Sequence, residues 1–244
     1  MWPVSAKKSK MGSFRLTSLD SKMLFAVYKP KGPSSNKVLS YIRFLTQEKH
    51  VGHAGTLDPL AEGVLVVGIG REATRKLADT VRKEKEYVAE IMLGETSATD
   101  DAEGSRRPHA VKKVPTREDV EAAAQRFVGK VMQVPPIFSA LKIKGKPAYK
   151  LARSGLKPRM RAREVEIREI EILEYAWPLL RLRVVTGPGV YIRALARDIG
   201  SKLRVGGYLA GLVRTRVGDF TLSTAVRVED LQSGIKPRMT DPAI

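Results

Sequence analysis

The chain has 244 residues, with 44 lysines and arginines against 26 aspartates and glutamates, so its formal net charge is +18. This charge and a pI of about 10.2 are typical of nucleic-acid-binding proteins, including ribosomal ones, and do not by themselves indicate an enzyme. The absence of cysteine excludes disulfides, thiolate zinc sites, iron–sulfur clusters and cysteine nucleophiles. No apolar run approaches the roughly 20 residues of a membrane span, so we expect a cytoplasmic protein without membrane association.

The first half of the chain predicts a basic tail followed by alternating strands and helices. Residues 1–22 contain five lysines or arginines and one aspartate, without an apolar core, and are predicted to be disordered. Ser34 or Ser35 can cap the first helix through a side-chain oxygen. The predicted elements are a strand at 24–28, a helix at 36–46, a strand at 64–67, a helix at 75–81 and a strand at 87–93.

The second half predicts a polar loop over 94–115 and then a helix whose capping box is formed by Thr116 and Asp119. Strands and helices interleave irregularly and no internal repeat is present, which favours an α+β fold with a mixed, largely antiparallel central sheet flanked by helices. The remaining predicted elements are a helix at 148–154, strands at 165–172 and 180–184, a helix at 191–203, strand-like segments to about 223 and a helical turn near 229–232.

The segment from His50 to Leu65 is the most informative part of the sequence. It is rich in glycine and small residues, nearly uncharged, and carries Asp58 in its middle. A lone carboxylate in such a loop repels phosphate and is poorly suited to grip a polyanion. Asp58 is therefore predicted to perform chemistry on a nucleic acid that the basic surface has bound.

Two other motifs have competing interpretations. Residues 68–73 match the G-x-G-x-x-A pattern of a dinucleotide-binding turn between a strand and a helix, but no series of βαβ units follows. Here the simpler interpretation is a tight turn at the end of a strand. His53 could be a metal ligand, but no carboxylate or second histidine stands at the spacing of a zinc protease site, so no metal is predicted.

Three further residues occupy unusual positions. Tyr87 opens a strand among charged residues, and Arg214 lies inside an apolar strand. Arg193 falls in the first turn of a predicted helix, where a cation faces the positive end of the helix dipole and needs an anion nearby. Each has an ordinary structural interpretation: Tyr87 as an edge-strand tyrosine, Arg193 as a solvated arginine, and Arg214 as an arginine that extends from a sheet to solvent.

Taken together, the motifs resemble the TruB family of tRNA pseudouridine synthases, in family order from about residue 24 to 220. The matching pieces are Lys29-Pro30-x-Gly32-x-Ser34-Ser35, residues 52–65 around Asp58, Lys85-x-Tyr87, Thr99-Asp100-Asp101-Ala102-x-Gly104, Pro135-Pro136-x-x-Ser139-Ala140-Leu141-Lys142, Tyr191-Ile192-Arg193 and Leu212-x-Arg214-Thr215.

This resemblance implies the pseudouridine synthase fold and isomerisation of the T-loop uridine conventionally numbered 55 in tRNA, without a cofactor or metal. Asp58 would be the catalytic carboxylate, Tyr87 the active-site tyrosine and Arg193 the partner that keeps Asp58 ionised by lowering its pKa. The target nucleotide would be flipped out of its stack. The substrate-binding residues implied are His53, which takes the place of the flipped base, Tyr191, and Leu212, which packs the base pocket. Apart from the resemblance, Lys142 is one of several basic residues that are candidates for contact with RNA phosphate.

The resemblance also shapes the expected domain organisation. We expect a disordered tail at 1–22, a catalytic domain at 23–223 and a C-terminal stub at 224–244, too short for a PUA or other RNA-binding domain. The expected partner is the T-arm of tRNA, bound by a monomer without a guide RNA. The alternative is a non-catalytic RNA-binding protein on the same scaffold, and the presence of Asp58, Tyr87 and Arg193 speaks against it.

Overall fold

A computed structural model describes residues 24–143, 145–156 and 158–233. The basic tail predicted at 1–22 and the end of the predicted stub lie outside this part of the chain. In chain order the elements are β1 (Leu24–Lys29), α1 (Ser35–Thr46), β2 (Val51–His53), β3 (Ala61–Ile69), α2 (Gly70–Arg82), β4 (Lys85–Leu93), β5 (Glu95–Ser97), β6 (Arg106–Pro108), α3 (Arg117–Gln125), β7 (Gly129–Gln133), β8 (Lys142–Ile143), β9 (Lys146–Pro147), α4 (Ala148–Arg153), β10 (Arg163–Ala176), β11 (Leu179–Thr186), α5 (Ile192–Lys202), β12 (Gly207–Val217), β13 (Phe220–Thr221) and β14 (Val226–Arg227). Short 3₁₀ turns span Leu222–Thr224 and Asp230–Ser233.

One large sheet organises the described residues, in the order β14-β1-β3-β12-β4-β11-β10-β7, with β2 beside β3 and β13 beside β12. The β1–β14 and β3–β12 pairs are parallel and the other pairs are antiparallel. The predicted mixed, largely antiparallel sheet with flanking helices is therefore confirmed. Strand β14 adds the segment after residue 223 to this sheet, and Val228 and Leu231 pack in its core.

Helices pack on both faces of the sheet, because successive strand residues point to opposite faces and both sets are apolar. Phe25 and Val27 of β1 pack with the apolar stripe of α1, whereas Ala26 between them packs with Leu77 of α2. Helices α3 and α5 pack on β4, β11 and β12. The alternating burial of β4 buries Tyr87 among the apolar residues that face α5. The sheet face that carries Tyr87 therefore packs against the helix that carries Arg193.

Several predicted boundaries were wrong. Helix α2 begins at Gly70, five residues before the prediction, because its polar first turn carries little apolar periodicity. The predicted polar loop at 94–115 contains the hairpin of β5 and β6. Strands β7, β8 and β9 were not predicted, since strands of two to five residues are too short to show an alternating pattern.

The sheet order excludes the dinucleotide-binding interpretation of residues 68–73. Strand β3 leads into α2 and then β4, but β12 lies between β3 and β4, parallel to one and antiparallel to the other. The two strands therefore run in opposite directions and do not form the βαβ unit that a dinucleotide site needs. Gly68 has a packing reason instead, since a Cβ there would lie 3.1 Å from the backbone of Ala73.

Candidate active site

The loop that carries Asp58 is held at several points. The Ser35 hydroxyl donates to the carbonyl of Leu57 and accepts from its amide, both at 2.9 Å. The amide of Gly32 donates to the carbonyl of Pro59 at 2.8 Å. Leu57 and Leu60 are buried, whereas the Asp58 side chain keeps 37% exposure. The loop thus anchors its apolar residues in the core and leaves the carboxylate accessible.

Arg193 is the ionic partner of this carboxylate. Its Nε lies 2.9 Å from Oδ2 of Asp58, and its Nη1 lies 3.2 Å from Oδ2 of the buried Asp101. The guanidinium also donates to the carbonyls of Thr99 and Phe138. Two carboxylates thus offset the cost of a nearly buried cation in the first turn of α5. These contacts leave the guanidinium little freedom to turn away from Asp58.

Burial has a larger effect on the pKa of Asp58 than Arg193 has. Desolvation raises the pKa of this carboxyl, Arg193 lowers it, the negative charge of Asp101 raises it and Lys29 lowers it, and the net result is a raised pKa. Arg193 lowers the pKa of Asp58, as the sequence-based expectation had it, but desolvation by burial outweighs this effect. A carboxylate taken partly out of water loses hydration that one ion pair does not fully replace.

Tyr87 and Arg214 form the floor of the site on neighbouring strands. They are directly opposite each other in the β4–β12 ladder, and Tyr87 raises the pKa of the Arg214 guanidinium. Arg214 is 1% exposed and donates to the carbonyls of Val64 and Gly55 at 2.7 and 3.0 Å. Burial lowers the pKa of Arg214, while Tyr87 and Asp58 raise it. Arg214 therefore links the glycine-bearing loop to the tyrosine.

His53 and Leu212 are both related to Arg214, His53 through its charge and Leu212 through its place on the same strand. His53 ends β2, and its pKa is lowered by burial and by the charges of Arg214 and Arg43. Its buried Nδ1 has no hydrogen-bond partner in the described part of the chain. Leu212 is 9% exposed, pairs with Ala61 and belongs to the apolar cluster of Tyr87. The site thus combines an imidazole that is influenced by the Arg214 charge with a leucine from the same strand as Arg214.

The other two predicted binding residues lie further out. The backbone of Tyr191 is held by the side chain of Gln133 at 2.8 and 3.2 Å, and the Arg163 guanidinium stacks over its ring at 5.0 Å. Lys142 is exposed on the small hairpin of β8 and β9. None of the described contacts of these two residues reaches Asp58.

Sequence reasoning did not assign roles to Asp101, Lys29 or Arg214. Asp101 stood in a predicted polar loop, and its adjacency to Asp100 was the signal that could have marked it. Lys29 is completely buried, with its ammonium donating to the carbonyls of Ala61 and Pro30. Burial lowers the pKa of Lys29 to about 8, although Asp58 raises it. Each of these residues pairs with a segment more than 30 residues away, which no local pattern predicts.

In the described residues, no helix combines the length and apolarity needed to cross a bilayer. No group of three or more histidine, aspartate or glutamate side chains there is arranged to hold a metal ion.

A partly exposed carboxylate paired with an arginine, next to the apolar cluster that holds Leu57, Tyr87 and Leu212, in a strongly basic chain, defines a site suited to nucleophilic or electrostatic catalysis on nucleic acid. Two family models match the chain. TruB family pseudouridylate synthase (N terminal domain) covers residues 43–192, and tRNA pseudouridylate synthase B C-terminal domain covers residues 193–239. The chain belongs to the TruB family of pseudouridylate synthases. The resemblance and the predicted pseudouridine synthase fold are thereby confirmed.

Individual relatives agree with this assignment. The chain is 48% identical to tRNA pseudouridine synthase B of Phocaeicola vulgatus, over 73% of this chain and 76% of that protein. It is 43% identical to tRNA pseudouridine synthase B of Francisella tularensis subsp. tularensis, over 84% of this chain and 68% of that protein. Among solved structures, a Cbf5-Nop10-Gar1 complex matches with a TM-score of 0.68 and 29% identity, over 87% of this chain and 54% of that one. The chain thus spans about half the length of that solved relative.

Proposed function

We propose that this chain is a tRNA pseudouridine synthase that converts the T-loop uridine at position 55 to pseudouridine, with Asp58 as its catalytic carboxylate. The observation that carries the proposal is the 2.9 Å ion pair between Arg193 and an Asp58 side chain that remains open to solvent. The names of the relatives support tRNA as the substrate. The net charge of +18 supports a polyanionic partner.

The reaction is an isomerisation, so every non-hydrogen atom of the uridine is retained. The C1′–N1 bond breaks with its electron pair going to N1, the uracil turns, and C5 bonds to C1′. The proton on C5 is then lost and N1 ends protonated. Asp58 either attacks the oxocarbenium-like C1′ or assists while a glycal forms. Arg193 favours the ionised carboxylate against the burial that opposes it.

The neighbouring residues suit the handling of an extruded base. Tyr87 offers a flat ring for the uracil and an oxygen that can help to remove the C5 proton. Leu212 supplies an apolar wall. His53 occupies the space that the base leaves, and Tyr191 and Lys142 contact the RNA further out. Base flipping costs a few kcal/mol of unstacking, which phosphate contacts along the basic surface offset. We further propose that the enzyme acts in the cytoplasm as a monomer on the T-arm, without a guide RNA.

The test is tritium release from tRNA transcripts labelled with [5-³H]uridine. Wild type is expected to release tritium, and Asp58→Asn to lower the rate by at least about 10⁴-fold because the carboxylate is lost while its shape is kept. Asp79→Asn makes the same chemical change at an exposed position of α2 and should keep the wild-type rate. A transcript with cytidine at position 55 should release no tritium. Tight tRNA binding without release by wild type would instead favour the non-catalytic RNA-binding protein.

A further inference from the structure

A cavity of about 300 Å³ opens directly beside the catalytic loop, and the proposed mechanism does not use it. Its apolar lining comes from Pro59 and Leu60, which follow Asp58, and from Ala102 and Ala210. A volume of this size accommodates one nucleobase, and apolar walls suit its flat faces. Lys31 and Glu103 supply the charged groups of the lining.

Glu103 is rigidly connected to the catalytic ion pair. Its backbone amide donates to Oδ1 of Asp101 at 3.0 Å, and the other oxygen of Asp101 lies 3.2 Å from Arg193. The amide of Ala102 bonds to the carbonyl of Leu209 in β12 at 2.9 Å, which fixes the turn on the sheet. The position of Glu103 relative to Asp58 is therefore set by hydrogen-bonded backbone rather than by a free loop.

The Glu103 carboxylate itself is exposed and makes no hydrogen bond or ion pair with the rest of the described chain. Partial burial, followed by the charges of Asp101 and Asp58, raises the pKa of this carboxyl. The carboxylates of Asp58, Asp101 and Glu103 influence one another, so a phosphate placed next to Glu103 would be repelled. An unpaired carboxylate is a suitable acceptor for the amino group of a base, as glutamate is for cytosine N4.

We propose that this cavity receives the nucleobase adjacent to the target uridine, an inference that rests on the proposed function. Glu103 accepts a hydrogen bond from an amino group on the Watson–Crick edge of that base, and the exposed Lys31 ammonium contacts the phosphate that joins the two nucleotides. Extrusion of the target separates it from its stacking neighbours, so the adjacent base needs a surface of its own. Glu103 is then a specificity-determining residue, because uridine presents the acceptor O4 where cytidine presents its N4 amino donor, and a carboxylate facing O4 shares no proton with it.

The experiment compares T-arm stem-loop RNAs in which the nucleotide 5′ or 3′ of the target is cytidine, which bears an amino group, or uridine, which does not. Tritium release gives kcat and KM, and the Kd of each RNA is measured separately. For one of the two neighbours, wild type is expected to prefer cytidine about tenfold, chiefly in KM and Kd. Glu103→Ala should abolish this preference with kcat for the cytidine substrate within about twofold. Glu103→Gln, which keeps a carbonyl acceptor, should retain part of it.

Glu229→Ala is the matched control, since it removes one exposed negative charge elsewhere and should leave the preference at the wild-type value. The proposal is overturned if wild type shows no preference at either neighbour. It is also overturned if Glu103→Ala tightens binding of all RNAs equally, because the carboxylate would then only repel the backbone. Absence of tritium release from any RNA by wild type would contradict the proposed function, while the Kd comparison would still decide the role of Glu103.

Discussion

Ser35 provides a direct test of how the loop that carries Asp58 is positioned. In Ser35→Ala, the amide and the carbonyl of Leu57 each lose a buried partner that lies at 2.9 Å in wild type. At about 0.5–1.5 kcal/mol per hydrogen bond, the free energy of unfolding should fall by about 2 kcal/mol. Asp58 follows Leu57 directly, and a displacement of about 1 Å at a reacting group can cost about 10²-fold in rate. We expect kcat for tritium release to fall about 10- to 100-fold while the Kd for tRNA stays within about twofold.

The neighbouring Ser34 is a matched control. Its hydroxyl accepts from the amide of Lys37 at the start of α1 and has no described contact with the Asp58 loop. Ser34→Ala should cost about 1 kcal/mol of stability through loss of the helix cap and leave kcat unchanged. The reasoning is refuted if Ser35→Ala keeps the wild-type kcat, or if both variants lose kcat in proportion to their loss of stability.

Three further predictions concern pH and backbone. Asp101→Asn should move the acid limb of the kcat/KM profile to lower pH, because the charge of Asp101 raises the pKa of Asp58. The free energy of unfolding of wild type should rise between pH 8 and 10, because folded Lys29 has a pKa of about 8 and an unfolded lysine keeps its proton to higher pH. In Lys29→Met this rise should be smaller, by up to about 3 kcal/mol. Gly63→Ala should lower the free energy of unfolding by about 3 kcal/mol or more, since φ is +104° and the new Cβ would lie 2.3 Å from a backbone oxygen of β12. Gly129 has a similar φ of +97° but open space around it, so Gly129→Ala should lower the free energy of unfolding by only about 1 kcal/mol.

The measurements are direct. Initial rates of tritium release from pH 5 to 9 test Asp101→Asn, and an acid limb that stays in place would contradict the electrostatic coupling of the two carboxylates. Urea unfolding at pH 7.5 and pH 10 tests Lys29→Met, and an unchanged pH dependence would show that this lysine stays protonated in the folded state. The same unfolding experiment tests the two glycines, and equal losses would show that close contact with the backbone of β12 is not the cause.

Local sequence patterns predicted the features that depend on neighbours along the chain. The capping box of Thr116 and Asp119 is present at the start of α3, and α5 lies within the predicted helix at 191–203. The distinctive loop around Asp58 also stood out, because glycine and small residues around one acid are unusual in so basic a chain. These signals arise from hydrogen bonds and side-chain spacings within a few residues.

The arrangement around that acid was not predictable in the same way. Arg193 contacts Asp101 across 92 residues, and Arg214 contacts Gly55 across 159. Those pairs depend on β12 inserting between β3 and β4, an order that no local periodicity encodes. Local patterns also left the net pKa of Asp58 open, since desolvation depends on how much of the packed chain surrounds the carboxyl.

The amino-acid sequence by itself determined the chemistry that is present: a strongly cationic chain, one carboxylate on a glycine-bearing loop, and the motifs of a known family. Only the tertiary structure decided which groups meet that carboxylate, how far burial opposes its charge, and that an unpaired glutamate faces a cavity beside it. The physical reason is that composition and short-range spacing are properties of the chain, whereas ion pairing and desolvation are properties of the space that the folded sheet and helices enclose.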